Sequence, residues 1–397
     1  MKKKTIDDIT VRGKRVLVRV DFNVPIENAR ITDTNRIEAS LPTIRKLIAD
    51  GGRVILMSHL GRPKGQVIPK FSLAPVAQKL GEFLGQDVAF AEDCIGEKAQ
   101  TVVDALGDGD VCLLENLRFH PEEEKNDADF AKPLAALGDV YVNDAFGSAH
   151  RAHASTEGVT KHLDTAVAGY LMQKELDALG GLLTEPQRPF IAVLGGAKVS
   201  GKLEVITNLM STVDAFVIGG GMAFTFLKAQ GHNVGKSMVE PDLLDTARQI
   251  LADAEKSEMH FLLPDDCLAA PAMDKPDMLK IMPTNDIPDD VGGFDIGPNA
   301  AKAFSDEISG AKTIFWNGPM GVFEHPPFDA GTRVVANAIA TATDKGAKSV
   351  LGGGDSVAAA QAIGLLDRMT HASTGGGASL EFMEGKTLPG VAALNDR

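Results

Sequence analysis

Residues 189–202 read PFIAVLGGAKVSGK, and this stretch decides the fold. Pro189–Leu194 is an unbroken apolar run, too short for a typical helix and long enough for a strand buried on both faces. Gly195-Gly196 ends it, and Leu203–Met210 continues as a helix pattern. A buried strand, a glycine turn and a helix make the opening of a parallel α/β unit.

The same rhythm runs outward in both directions. Toward the N-terminus the spacing predicts strands at Arg15–Val20, Arg53–Met57, Asp87–Ala91, Asp110–Leu114 and Asp139–Val142. Toward the C-terminus it predicts them at Ala215–Ile218, Met259–Leu263, Lys312–Trp316 and Lys348–Leu351. Helix patterns fall between them at Glu38–Ala49, Leu73–Phe83, Asp127–Leu137, Pro241–Ala254 and Asp329–Ala342. The pattern restarts after a helix at Leu171–Leu183, which the prolines of Thr184–Pro189 end. The expected organisation is a first α/β domain over 1–170, a connecting helix and hinge over 171–188, a second α/β domain over 189–372 and a tail over 373–397. Both domains are expected to carry parallel sheets covered on both faces, and two α/β domains joined by a helix leave a cleft between them.

Composition narrows the function. The chain has 397 residues and a formal charge of −14, from 40 Lys+Arg against 54 Asp+Glu, which argues against a nucleic-acid binder. Cys94, Cys112 and Cys267 lie far apart and form no C-x-x-C pair, so they read as packing residues in a reducing compartment. The N-terminus MKKKTIDDIT lacks an apolar h-region, and the longest apolar stretch, Ala215–Leu227, is too short to span a bilayer. These features point to a cytoplasmic protein without a membrane partner. The nine histidines show no H-E-x-x-H spacing, and no histidine-bound metal is expected.

Ligands of open parallel sheets bind beyond the carboxyl ends of the strands, so the residues there carry the chemistry. In the first half these ends deliver Asp21 and Asn23, then His59 and Arg62, then Arg118, then Arg151; Arg36 follows in a polar loop. Ten of the fifteen arginines precede residue 171. Several planar guanidinium forks at one edge suit a small carboxylate or phosphate. In the second half the ends are glycine-rich: Gly195–Lys202, Gly219–Gly221, Asn317-Gly318-Pro319 followed by Glu324, and Gly352-Gly353-Gly354-Asp355-Ser356. Backbone N–H groups at such turns, with Lys198 and Lys202 nearby, suit nucleotide phosphates. Gly196–Lys202 fits G-x-x-x-x-G-K, but Leu203 stands where a P-loop needs Ser or Thr for magnesium, so this is not a Walker A motif. Asp355 beside phosphates implies Mg²⁺ between them; as a helix cap with Ser356 it has a purely structural reading as well. The glycines Gly375–Gly377 precede a short helix pattern, and read either as a linker or as a helix N-terminus that stabilises charge on a transferring group.

Taken together, Arg19–Pro25, Ser58–Pro63, Glu115–Phe119, Phe146–Ser155, Gly195–Lys202, Gly219–Phe226, Trp316–Glu324, Gly352–Ser356 and Thr374–Leu380 resemble the phosphoglycerate kinase family, in order and over essentially the whole chain. The resemblance implies two Rossmann-like α/β domains with parallel sheets facing across a hinged cleft, and reversible phosphoryl transfer between 1,3-bisphosphoglycerate and ADP, giving 3-phosphoglycerate and ATP, by a monomer that closes around its ligands. It implies that Asp21, Asn23, Arg36, His59, Arg62, Arg118 and Arg151 hold the phosphoglycerate. Lys198, Lys202, Asn317, Glu324, Gly353, Gly354, Asp355 and Ser356 would hold the nucleotide, with Asp355 on Mg²⁺ and Glu324 on the ribose. Arg36, Lys202 and Gly376 are expected to act on the transferring group. The tail is expected to return to the first domain. Another ATP-using kinase or ligase would share the lysines and glycines without the arginine set, and a two-lobed binding protein would show no turnover.

Overall fold

The computed structural model describes residues 2–27 and 30–397. The chain divides into two compact units. The first comprises the chain up to Asp177 together with Thr387–Arg397, and the second is Ala178–Lys386.

The first unit is built on a six-stranded parallel sheet of β1 (Arg15–Arg19), β2 (Arg53–Met57), β3 (Val88–Ala91), β4 (Val111–Leu114), β5 (Val140–Asn143) and β6 (Ala166–Ala168). Its order is β3-β4-β2-β1-β5-β6. Strand β1 is central, with Val16 opposite Val54 on one side and Val140 on the other. The side chains of Val16, Leu17, Val54, Ile55 and Val142 are fully buried, as unbroken apolar runs require when both sheet faces are covered. Helix α1 (Asn35–Ala49) lays Ile37, Leu41, Ile44 and Leu47 against this core at helical spacing.

The second unit repeats the plan. Strands β7 (Phe190–Leu194), β8 (Ala215–Ile218), β9 (His260–Leu262), β10 (Thr313–Asn317), β11 (Lys348–Leu351) and β12 (His371–Ala372) run parallel in the order β9-β8-β7-β10-β11-β12. The direction of winding reverses between β7 and β10, and that crevice is where a doubly wound sheet binds ligand. The two backbones nearly touch there. Gly318 has φ +101°, and a Cβ on it would lie 2.3 Å from the Gly195 carbonyl. Only glycine combines that conformation with that approach.

The fold class follows the expectation. The ten strands read from apolar runs are present within a residue or two. The edge strands β6 and β12, three and two residues long, were not anticipated. Nor was a three-stranded antiparallel sheet of Lys280–Pro283, Asp266–Ala270 and Gly292–Ile296. The boundary between units falls inside helix α2 (Tyr170–Thr184). Asp144, directly after β5, accepts hydrogen bonds from the backbone N–H groups of Leu171 (2.9 Å) and Met172 (3.2 Å) and so caps that helix.

The expected tail divides. Residues 373–386 belong to the second unit, and 387–397 to the first. In the first unit Asn395 donates its backbone N–H to Ala166 and receives that residue's N–H on its side chain, both at 2.8 Å. The buried Lys3 ammonium donates to the Leu394 carbonyl at 2.7 Å. Among the described residues no helix is long and apolar enough to cross a membrane.

Candidate functional site

The carboxyl ends of β1, β2, β4 and β5 lie along one edge of the first sheet and place most of the expected anion ligands together. After β1 the chain turns at Asp21, whose carboxylate accepts from the Asn23 backbone N–H (3.1 Å) and from the half-buried Arg36 guanidinium (3.1 Å). Arg36 also donates to the Asn23 carbonyl at 3.1 Å. The Asn23 side chain accepts from the Gly61 N–H at 2.9 Å, and Arg118 donates to the Gly61 carbonyl at 3.0 Å. A continuous chain of hydrogen bonds thus links the ends of β1, β2 and β4. Arg62 is exposed beside Gly61. Arg151 is exposed and donates to His150 at 3.1 Å, without a direct bond to Asp21 or Arg36.

His59 lies deepest among these residues. It is buried, and its Nδ1 lies 3.1 Å from the guanidinium of Arg19. A guanidinium only donates, so Nδ1 accepts and the ring proton sits on Nε2. Burial, then Arg19, Arg118 and Arg36, hold the imidazole well below its ordinary pKa. His153 is likewise held down, to about 4, by burial and then by Arg19, Arg118 and Arg151. Two neutral imidazoles lie amid four guanidiniums, of which Arg36 pairs with Asp21 at 3.1 Å and Arg118 with Glu124 at 3.3 Å.

Arg19 escaped the sequence reading. It closes β1, and only 1% of its surface is exposed. Besides His59 it bonds the Ser155 hydroxyl at 2.8 Å, and Ser155 donates to the fully buried carboxylate of Glu123 through Oγ (2.5 Å) and N (2.9 Å). Burial raises the Glu123 pKa, while Arg19 and the Ser155 bonds oppose it. The available signal was an arginine inside an otherwise apolar strand run, since a charge is buried there only with partners.

The second unit gathers its residues around β10. Asn317 is buried; its side-chain amide donates to the Gly352 carbonyl at 2.7 Å, and its carbonyl accepts from Lys202. The buried Ser356 hydroxyl accepts from the Gly318 N–H (2.6 Å) and donates to the Gly352 carbonyl (2.9 Å). Gly353, with φ +82°, opens helix α4 (Gly354–Ile363), whose first residues Gly354 and Asp355 are exposed. A helix start with open N–H groups favours an anion. Lys202 is half-buried, and the loss of solvent lowers its pKa; Asp355 and Glu384 oppose that shift. Lys198 is exposed before the turn Val199–Gly201, and Glu324 is exposed on the loop after β10. Neither bonds directly to the Asn317 group.

Lys202 directly precedes helix α3 (Leu203–Leu209), on which helix α5 (Gly377–Met383) packs, with Asn208 donating to the Met383 carbonyl at 2.8 Å. Gly376 caps the start of α5 at φ +53° and ψ −114°, and apart from its chain neighbours no described atom lies within 4 Å of where its Cβ would stand.

A sequence model of the family described as phosphoglycerate kinase matches residues 6–386. A phosphoglycerate kinase of Chloroherpeton thalassium is 57% identical over 396 residues, covering the full length of both chains. One from Chlorobium phaeovibrioides is 58% identical over 397 residues, again with full coverage of both. Among solved structures, phosphoglycerate kinase from Coxiella burnetii superposes with a TM-score of 0.91 at 41% identity, over 98% of each chain. The enzyme from Pyrococcus horikoshii does so at 0.82 and 34% identity, also over 98% of each chain.

Proposed function

The chain belongs to the phosphoglycerate kinase family, and from that premise we propose that its two strand-end sites divide one phosphoryl transfer between them. The protein is a kinase of the glycolytic reaction that passes a phosphoryl group between 1,3-bisphosphoglycerate and ADP, yielding 3-phosphoglycerate and ATP. In our reading, the first unit binds the phosphoglycerate through Asp21, Asn23, Arg36, His59, Arg62, Arg118 and Arg151. The second binds ADP or ATP through Lys198, Lys202, Asn317, Glu324, Gly353, Gly354, Asp355 and Ser356.

The observation that carries this assignment is the neutral His59, with its proton on Nε2, set among Arg19, Arg36 and Arg118. That group offers only donors to an incoming anion. In the ATP-consuming direction the nucleophile is a carboxylate, already ionised at neutral pH, so no general base is required. The residues instead align the reactants and offset charge on the transferring group. Arg36 and Lys202 take that role, with the backbone N–H groups beside Gly376. Asp355 fits a magnesium ligand: its carboxylate is exposed at the helix start where phosphates are expected, and Lys202 senses its charge. A bound Mg²⁺ would neutralise phosphate charge there. In-line transfer requires closure of the units, which small-angle scattering with both substrates would detect as compaction.

The test is ATP-dependent phosphorylation of 3-phosphoglycerate, coupled to NADH oxidation by glyceraldehyde-3-phosphate dehydrogenase. Turnover that EDTA abolishes and Mg²⁺ restores is expected. A folded protein that turns over undiminished in EDTA would refute the metal assignment, and one that phosphorylates a different acceptor in preference would refute the substrate.

A further inference from the structure

A third group of ligating side chains lies outside both sites. Asp93 and Cys94 follow β3, and His120 follows the 3-10 turn Leu117–Phe119 that leaves β4. A carboxylate oxygen of Asp93, the sulfur of Cys94 and an imidazole nitrogen of His120 all lie within 4.8 Å of one another. His120 Nε2 is 2.7 Å from Asp93 Oδ1. None of the three takes part in the hydrogen bonds around Asp21, Arg36 and His59.

We propose that Asp93, Cys94 and His120 form a binding site for a thiophilic divalent cation of the Zn²⁺ class. Tetrahedral zinc with bonds of about 2.0–2.3 Å sets its ligand atoms about 3.3–3.8 Å apart, so the group needs sub-ångström to ångström adjustments to close on an ion. The ligand set, one thiolate, one imidazole and one carboxylate, selects Zn²⁺ or Co²⁺ over the hard Mg²⁺. Access favours it too. Cys94 is fully buried, whereas the side chains of Asp93 and His120 are 39% and 27% exposed. The sulfur therefore forms the floor of a site whose other two ligands reach solvent. Three protein ligands leave a fourth position for water.

On binding, the S–H bond breaks, its proton leaves to solvent and the sulfur–metal bond forms; the imidazole ligates as the neutral ring, its one proton held on the nitrogen that does not face the ion, with no change of oxidation state. Local spacing rules do not register this group, because its histidine stands 26 positions from its cysteine.

The experiment is titration of the metal-stripped full chain with Co²⁺, read by near-ultraviolet thiolate-to-cobalt absorption. One equivalent is expected to bind, and Zn²⁺ but not excess Mg²⁺ should displace it. Cys94→Ala should abolish the band, and Cys267→Ala should leave it intact. His120→Ala and Asp93→Asn should each weaken binding by at least about tenfold, the loss that disturbing even an outer partner of a ligand brings. No band in the folded wild-type chain, or an undiminished band in Cys94→Ala, would overturn the proposal. Should Cys94→Ala not fold, the other two variants decide, and undiminished affinity in both would overturn it.

Discussion

Replacing Ser356 by alanine isolates one buried hydrogen bond at the winding reversal of the second sheet. The hydroxyl has two partners, but their fates differ. The Gly352 carbonyl also accepts from Asn317 at 2.7 Å and stays satisfied. Among the described residues the Gly318 N–H has only the Ser356 oxygen, at 2.6 Å, and Ser356 has no exposed surface through which water would replace it. The cost is therefore that of one orphaned buried donor, about 1–3 kcal/mol. With an m-value of about 2 kcal/mol/M in urea, a loss near 2 kcal/mol lowers the midpoint by about 1 M. The assay is built in: Trp316 is the single tryptophan, is buried in β10, and donates from its indole to the Gly318 carbonyl at 2.8 Å. Its fluorescence follows this unit. Ser356→Thr keeps the hydroxyl and should recover most of the loss. A Ser356→Ala midpoint within about 0.2 M of wild type at unchanged m, or a threonine variant no better than alanine, would rule out an orphaned Gly318 N–H as the source of the cost.

Lys202→Ala should fold, since it removes a charge that burial disfavours, yet lose turnover on the order of 10²–10³-fold; near-normal steady-state rates would exclude Lys202 from the transfer step. His153 has a folded pKa of about 4 against 6.5 for an unperturbed imidazole, so between those values the unfolded chain binds a proton that the folded chain does not. Its contribution is complete above about pH 6.5 and declines as pH falls toward 4, by at most about 1.4 kcal/mol per unit. His153→Gln should flatten that part of the stability–pH curve, and parallel curves for variant and wild type would contradict the shift. Asn395→Ala removes the acceptor of the Ala166 N–H and should cost about 1 kcal/mol by urea unfolding read in the far ultraviolet; no change would mean that water replaces the side chain.

The sheets were legible because parallel strands buried on both faces are continuous apolar runs, as in FIAVL of β7. The antiparallel sheet was not, because Lys280–Pro283 is largely exposed and Gly292–Ile296 carries two glycines and an aspartate. Strand β12 is two residues, shorter than any periodicity. At the sites, side chains in turns after strands were readable, because position along a parallel strand fixes the edge. Arg19 was not, because inside a strand an arginine carries no local sign of its partners, and Ser155 and Glu123 lie more than a hundred residues away. The Asp21–Arg36–Gly61–Arg118 bonding is similarly a product of topology: sheet order brings together strands that sequence order separates.

The two ends of the chain lie side by side. Lys4 donates its N–H to the Asn395 carbonyl at 2.9 Å, and Arg397 donates to the Lys2 carbonyl at 3.0 Å. During synthesis, the unit begun first is consequently the one finished last. Until residues 387–397 emerge, its edge strand Ala166–Ala168 waits without the Asn395 partner, and the Lys3 ammonium waits without its carbonyl. The second unit has every residue out of the synthetic machinery before the first can close. Joining the two termini through a short linker, with a new opening in a surface loop, would reverse that order, and would ask whether the sequence of emergence or only the final set of contacts selects the native state.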